Sequence, residues 1–306
     1  MCGSGRNRPY VRTWDRSHGQ PGEFTFVACR GCGHVYLNPR PTQTEITAYY
    51  PETYKEYVGP VEHEASALVR ANRAWGMRKR VRLFTSRMKP GRFLDVGCGS
   101  GALMAAMRDQ GWEVHGEDTT PAAVRLAREH FGLDVFQGTL EEANYPDAHF
   151  DAVVLWNVIE HVPDPPATLR EVARVTRPGG IVVMATPNVD SFEAHIFGSR
   201  WALWEAPRHF NVFSPRTIDR VLEQTGWRSL GHTSQIGTWF ALATSVQYAL
   251  EERRGWRPKP ADPERVYWEG TAVAQLARLA AVPYTWLTDK LGEGSTMIVC
   301  AERVGS

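Results

Sequence analysis

The sequence predicts an α/β protein whose main body is a mostly parallel sheet of right-handed β-α-β units. A small β module precedes that sheet, and a helical insertion interrupts it before the last strand. Three observations carry this. From Arg92 onward, short apolar runs alternate with amphipathic stretches, as when strands are buried on both faces by helices. The first of these runs, in LDVGCGSG (94–101), passes straight into a glycine-rich turn. The chain has 306 residues, 42% apolar and 23% charged, close to globular averages and sufficient for a large core.

In chain order, residues 1–42 hold alternating runs, Phe24–Ala28 and His34–Leu37, broken by glycine and proline, and read as the β module. Residues 43–90 form a connector: a tyrosine cluster (Tyr49, Tyr50, Tyr54, Tyr57), then a helix over 62–88 with a basic face. That face reads as solvated surface or as a phosphate-binding patch. From 91 to 306 the strands fall at 93–97, 112–118, 133–138, 150–156, 179–188, 227–234 and 296–304. Helices are expected at 101–110, 121–130, 165–176 and 215–225. Asp164 followed by two prolines is a well-formed helix start, a capping carboxylate before residues whose missing N–H groups cost nothing there. The insertion, about 239–291, carries Trp239, Phe240, Trp268 and Trp286 and reads as a substrate lid, a homodimer face or an interfacial helix.

Net charge is +1, which removes a bulk electrostatic argument for nucleic acid. Its distribution is uneven: 16 basic against 7 acidic residues precede Asp95, and 19 against 27 follow from it. No run of 18 apolar residues spans a bilayer and the first residues lack a signal-peptide core, so a cytoplasmic setting is expected. Of the 5 cysteines, Cys29 and Cys32 have the spacing at which two thiolates share one zinc, and Cys2 resembles half of a second knuckle. His18 or His34 is a candidate fourth ligand. The alternative is a bare hairpin with free thiols.

The chemistry concentrates at strand ends. Gly97, Gly99 and Gly101 suit a turn on which a ligand lies against the backbone. Asp95 precedes them, and Asp118 closes the next strand, where a carboxylate can take both hydroxyls of a ribose. Gly138-Thr139-Leu140 ends the third strand and Trp156 the fourth, followed by Glu160-His161. A second polar group, Arg208-His209, sits among Trp201, Trp204, Phe210 and Phe213. Apolar walls with a few convergent polar groups describe a pocket, and equally an aromatic core beneath a long loop.

Together, CRGCGHVYLNPRPT (29–42), LDVGCGSG (94–101), FDAVVLWNVIEHVPDP (150–165), RPGGIVVMATPN (177–188) and RWALWEAPRHFNVFSP (200–215) resemble the class I S-adenosylmethionine-dependent methyltransferases, with their Rossmann-like seven-stranded sheet. Within them, the chain is similar to the branch holding ubiquinone-biosynthesis O-methyltransferases and methyltransferases of glycan and natural-product pathways. The resemblance implies that Asp95, Gly97, Cys98, Gly99 and Gly101 cradle the methionine and ribose part of the cofactor. By the same resemblance, Asp118, with Thr119 beside it, takes the ribose diol. Thr139 and Leu140 meet the adenine, and the Trp156 carbonyl meets the amino group. A sulfonium without phosphates calls for carboxylates and aromatic faces.

A hydroxyl nucleophile must lose its proton, and His161 and His209, with Glu160 adjacent, are the candidate bases. A loop that only braces the next helix is the alternative reading of Glu160-His161. Some relatives carry Glu-x-x-Glu-His there as a divalent-metal site. This chain has Asn157 at the first position, which speaks against a metal at Glu160/His161. Tyr50, Tyr57, Trp201, Trp204 and Arg208 are the expected acceptor contacts. The function expected is O-methylation of a small-molecule, glycan or natural-product hydroxyl. An RNA methyltransferase using the basic face, and a non-catalytic cofactor-binding scaffold, are the alternatives.

Overall fold

The computed structural model describes residues 1–50, 67–234, 238–257, 259–260, 277 and 280–305. Tyr54, Tyr57 and Trp268, and the expected helix start at 62–66, lie outside them.

The main sheet has seven strands: β4 (Arg92–Val96), β5 (Glu113–Asp118), β6 (Val135–Gln137), β7 (Phe150–Trp156), β8 (Thr176–Pro187), β10 (Trp227–Thr233) and β11 (Thr296–Arg303). Their order is β10-β11-β8-β7-β4-β5-β6. The pairs from β8 to β6 are parallel, while β11 runs antiparallel to both β8 and β10. This is the seven-stranded, mainly parallel α/β sheet that the alternation predicts. The chain leaves β4 toward β5 and β6 and later returns to β4's other side with β7. The reversal opens a crevice at the carboxyl ends of β4 and β7, the place where open α/β sheets take ligands.

Side-chain alternation along the strands builds a core on each face of the sheet. Val153 and Leu155 of β7 point to a cluster with Leu169, Val172, Ile218 and Leu222. Ala152 and Val154 point to the opposite one, with Phe84, Phe93, Met107 and Trp112. The helix Pro165–Val175 starts as expected, with the Asp164 carboxylate accepting the Ala167 N–H at 3.0 Å. A capping box, Ser214 with Thr217, starts the helix Pro215–Gln224 in the same manner.

A second, antiparallel sheet joins β1 (Asn7–Thr13), β2 (Phe24–Cys29), β3 (Val35–Leu37) and β9 (Asn211–Val212) in that order. Its fourth strand comes from the aromatic stretch after β8, with Val35 opposite Val212. The first 42 residues therefore share a sheet and an apolar core with that stretch. Phe26, Val35 and Leu37 pack with Val189, Trp201, Trp204 and Phe210. The connector helix Ala67–Thr85 leads back to β4, and Phe84 meets Phe93 edge-on at 5.1 Å. In the insertion the described residues form the helices Thr238–Arg253 and Val282–Leu291. No helix of the described residues is long and apolar enough to cross a membrane.

Candidate active site

One wall of the crevice is the turn after β4. Gly97, Gly99 and Gly101 all have positive φ, at +66°, +54° and +78°. A Cβ on Gly97 would meet Val158 at 2.7 Å and one on Gly101 would meet Leu133 at 2.6 Å, so both close approach and handedness demand glycine. The turn is tied to the end of β5 by carboxylates. Asp118 accepts the Gly99 N–H at 2.9 Å and the Thr120 N–H at 2.8 Å, and Glu117 accepts the Gly97 N–H at 3.3 Å.

Three carboxylates thus surround one glycine turn. Burial pushes Asp95 up to about 8, with Asp118 adding to the rise and Arg80 opposing it. Burial likewise raises Glu117 to about 8, helped by Asp118 and opposed by the Gly97 N–H. A concentration of buried acidic groups suits a ligand that brings its own positive charge and hydroxyl donors. Glu117 is not singled out by the sequence pattern; its signal is the acidic pair Glu117-Asp118 where one carboxylate would suffice. Arg80, from the connector helix, stacks 4.4 Å over the Trp156 ring at the end of β7. Arg78 and Arg82 on the same helix are exposed, as is Arg87 just after it.

Cys98 is buried and its thiol is pushed up by that burial. Thr139 caps the short helix Leu140–Ala143 through its hydroxyl, and Thr119 is exposed. The Leu140 side chain packs into the core at 3% exposure, which leaves only its backbone for an adenine contact.

The opposite wall gathers three distant segments. His161 follows β7, and its Nδ1 lies 3.1 Å from the Arg208 carbonyl and 3.1 Å from the Tyr50 hydroxyl. His209 stands edge-on to it, ring centroids 4.7 Å apart, with Nδ1 at 2.8 Å from the Leu203 carbonyl and Nε2 at 3.3 Å from Glu205. With Nδ1–H donated to the Arg208 carbonyl, Nε2 would be the basic position of His161, whereas Nε2 of His209 faces the Glu205 carboxylate. Burial drives both imidazoles down, His161 to about 3 with further lowering by His209, and His209 to about 4. Both are therefore neutral near pH 7. Glu160 is buried beside them, and its backbone carbonyl receives the Phe210 and Asn211 N–H groups at 2.8 and 3.0 Å. One donor atom from each of Glu160, His161 and His209 lies within 4.8 Å of the others.

Tyr50 is thus brought to the site. Trp201, Trp204 and Arg208, expected as acceptor contacts, are placed differently. Trp201 and Trp204 are 1% and 2% exposed in the module core, with their indole N–H groups on the Ser295 hydroxyl and the Gly198 carbonyl. Arg208 is fully buried in a two-pronged pair with Asp15, at 2.8 and 3.1 Å. The reason is β9: once this stretch joins the module sheet, its large side chains fill the module's own core.

In the module, Cys2, Cys29 and Cys32 converge, their sulfurs within 4.8 Å of one another and those of Cys2 and Cys29 at 3.5 Å. Burial works to raise Cys29, but the N–H groups of Cys32 and Gly31 outweigh it and bring the thiol down to about 7. Burial takes Cys32 up to about 11. His34 lines the same cleft of about 260 Å³, with Nε2 on the Asn211 side-chain oxygen at 3.0 Å. A three-thiol set of this kind fits zinc.

Comparison with known proteins identifies the family. Residues 68–230 match the family described as a methyltransferase domain. A ubiquinone biosynthesis O-methyltransferase of Alkalilimnicola ehrlichii is 32% identical over 200 residues, 63% of this chain and 74% of the relative. One from Azoarcus sp. is 39% identical over 181 residues, 53% and 77% of the two chains. Among solved structures, the [4+2]-cyclase SpnF aligns with a TM-score of 0.55 at 20% identity, covering 87% of this chain and 98% of its own, a likeness of fold. The chain belongs to the S-adenosylmethionine-dependent methyltransferases, and S-adenosylmethionine is its cofactor.

Proposed function

We propose that this enzyme methylates a hydroxyl oxygen of a small-molecule acceptor, of the kind found in glycans or phenolic natural products, with His161 as the base and His209 beside it. One observation carries the reading: a half-buried and a buried imidazole stand edge-on to each other just after β7, each with Nδ1 on a backbone carbonyl. An amine acceptor would not need such a base. The O-methyltransferase relatives point the same way.

When bound, S-adenosylmethionine supplies a methyl group on a sulfonium centre. The Gly97–Gly101 turn and Asp95 would hold its methionine part and Asp118 its ribose. Asp118 already fixes Gly99, so the turn's shape and the ribose contact depend on one side chain. His161 Nε2 takes the acceptor's proton, and Tyr50 and the Arg208 carbonyl keep the ring oriented. At the module, Cys2, Cys29 and Cys32 are proposed to hold zinc, with a fourth ligand from elsewhere.

The test begins with calorimetric titration of S-adenosylhomocysteine against an NADH control. It continues with a screen of sugar and phenol acceptors, comparing the wild type with His161→Ala. Turnover that needs His161 while homocysteine-adduct affinity is unchanged supports the reading; wild-type turnover by the variant overturns it. Metal analysis of the purified protein, expected to show about one zinc per chain, tests the module separately.

A further inference from the structure

We infer that Asp15, in the N-terminal β module, is a positioning residue for methyl transfer: through Arg208 it sets the orientation and tautomer of the His161 imidazole. The inference rests on the reading of His161 as the base. Asp15 and Arg208 are both 0% exposed. The carboxylate takes Nη2 at 2.8 Å and Nη1 at 3.1 Å, a geometry that fixes the plane of the guanidinium as well as its place. Asp15 is itself anchored by the N–H groups of His18 at 3.0 Å and Gln20 at 3.4 Å.

From there the connection runs to His161 along two short paths. The Arg208 backbone carbonyl accepts from His161 Nδ1 at 3.1 Å. Its Nη1 also donates to the Tyr49 carbonyl at 3.0 Å, one residue before the Tyr50 hydroxyl that lies 3.1 Å from the same Nδ1. Both neighbours of that ring nitrogen therefore belong to, or directly follow, residues that the Arg208 guanidinium ties down, and that guanidinium is gripped by Asp15 with Glu205 as a second carboxylate 3.5 Å from Nε. A fully buried ion pair is weak support for net stability, because desolvation offsets most of the attraction. Its use here is geometric: with Nδ1–H committed to a carbonyl, Nε2 is left unprotonated toward the acceptor.

The experiment is nitrogen-15 NMR of imidazole-labelled protein, with His161 assigned by its loss in His161→Gln. In the wild type, His161 is expected as the Nδ1–H tautomer with unprotonated Nε2; the opposite tautomer overturns the inference. In Asp15→Asn, which keeps size and removes charge, His161 is expected to become a tautomer mixture. Acceptor turnover is expected to fall at least about tenfold, with S-adenosylhomocysteine affinity within about twofold. Arg208→Lys, which keeps the charge and loses the fork, is expected to show a smaller change of the same kind. An Asp15→Asn protein with native His161 signals and native turnover overturns the role of Asp15 and leaves His161 as the base. Loss of the His161→Ala effect overturns the base reading instead.

Discussion

The two walls of the crevice are built on different principles. The proposed cofactor wall comes from neighbouring strand ends of one sheet: Gly97–Gly101 after β4, Glu117 and Asp118 at the end of β5, Trp156 at the end of β7. The proposed acceptor wall comes from Tyr50, His161 and Arg208-His209, brought together by a second sheet that the chain closes only at β9. A wall made of consecutive β-α units is local in sequence and repeats across a family. A wall assembled across segments can be rebuilt while the cofactor wall stays the same, and that is how one fold serves many acceptors.

Removing the base should produce the largest effect. His161→Ala is expected to lower turnover by about 10²–10⁴-fold and leave S-adenosylhomocysteine binding intact; a loss shared between turnover and affinity would mean that the walls are not separable. Next is the packing of the acceptor wall. Trp201→Ala should cost about 3–5 kcal/mol in urea unfolding, because Trp201 is a core residue at 1% exposure, while Trp201→Phe keeps most of the stability and the turnover. If Trp201→Ala instead kept stability and raised the acceptor KM, Trp201 would belong to the pocket.

On the cofactor wall, Asp118→Ala should weaken homocysteine-adduct binding by about 10–100-fold, in line with the 1.5–3 kcal/mol of a charge-assisted contact, with a native circular dichroism spectrum. Unchanged affinity would remove Asp118 from the ribose. The smallest effects are in pH. His161 and His209 are held near 3 and 4, so the base form is lost only as pH falls through those values. The acid limb of kcat/KM should therefore lie below about pH 5, against about 6.5 for an ordinary histidine. The same lowering means that the unfolded chain binds more protons below about 6.5, so these two groups make stability fall with falling pH.

Asp95 and Glu117 behave oppositely, held up to about 8 by burial beside the glycine turn. A cationic sulfonium favours their ionised forms, so its affinity should rise as pH climbs toward 8. The neutral thioether of the homocysteine adduct should gain less. The difference between the two ligands, which share one amino group, isolates this effect; parallel pH curves would exclude it.

How much was legible in the sequence follows the same division. Asp95, the three glycines and Asp118 stand at strand ends that period and glycine spacing reveal, and the structure puts them on one crevice. Asp164 and its prolines mark a helix start that forms as expected. The aromatic stretch after β8 was only half legible. Its composition suits a pocket or a core equally, and the choice was made by β9 pairing with β3, a contact between residues about 175 apart in the chain that no local pattern encodes. Arg208 shows the consequence: in sequence it is a polar group near a pocket, in the structure it is the partner of Asp15.

By itself the sequence determined the fold class, the strand and helix order and the cofactor turn, because these depend on local periodicity, backbone freedom at glycine and capping, all settled within a few residues. The tertiary structure alone decided which groups each histidine nitrogen meets, which aromatics are core and which acid holds which base. Those depend on burial and on hydrogen bonds between segments far apart in the chain, and only the folded state brings such groups within reach of one another.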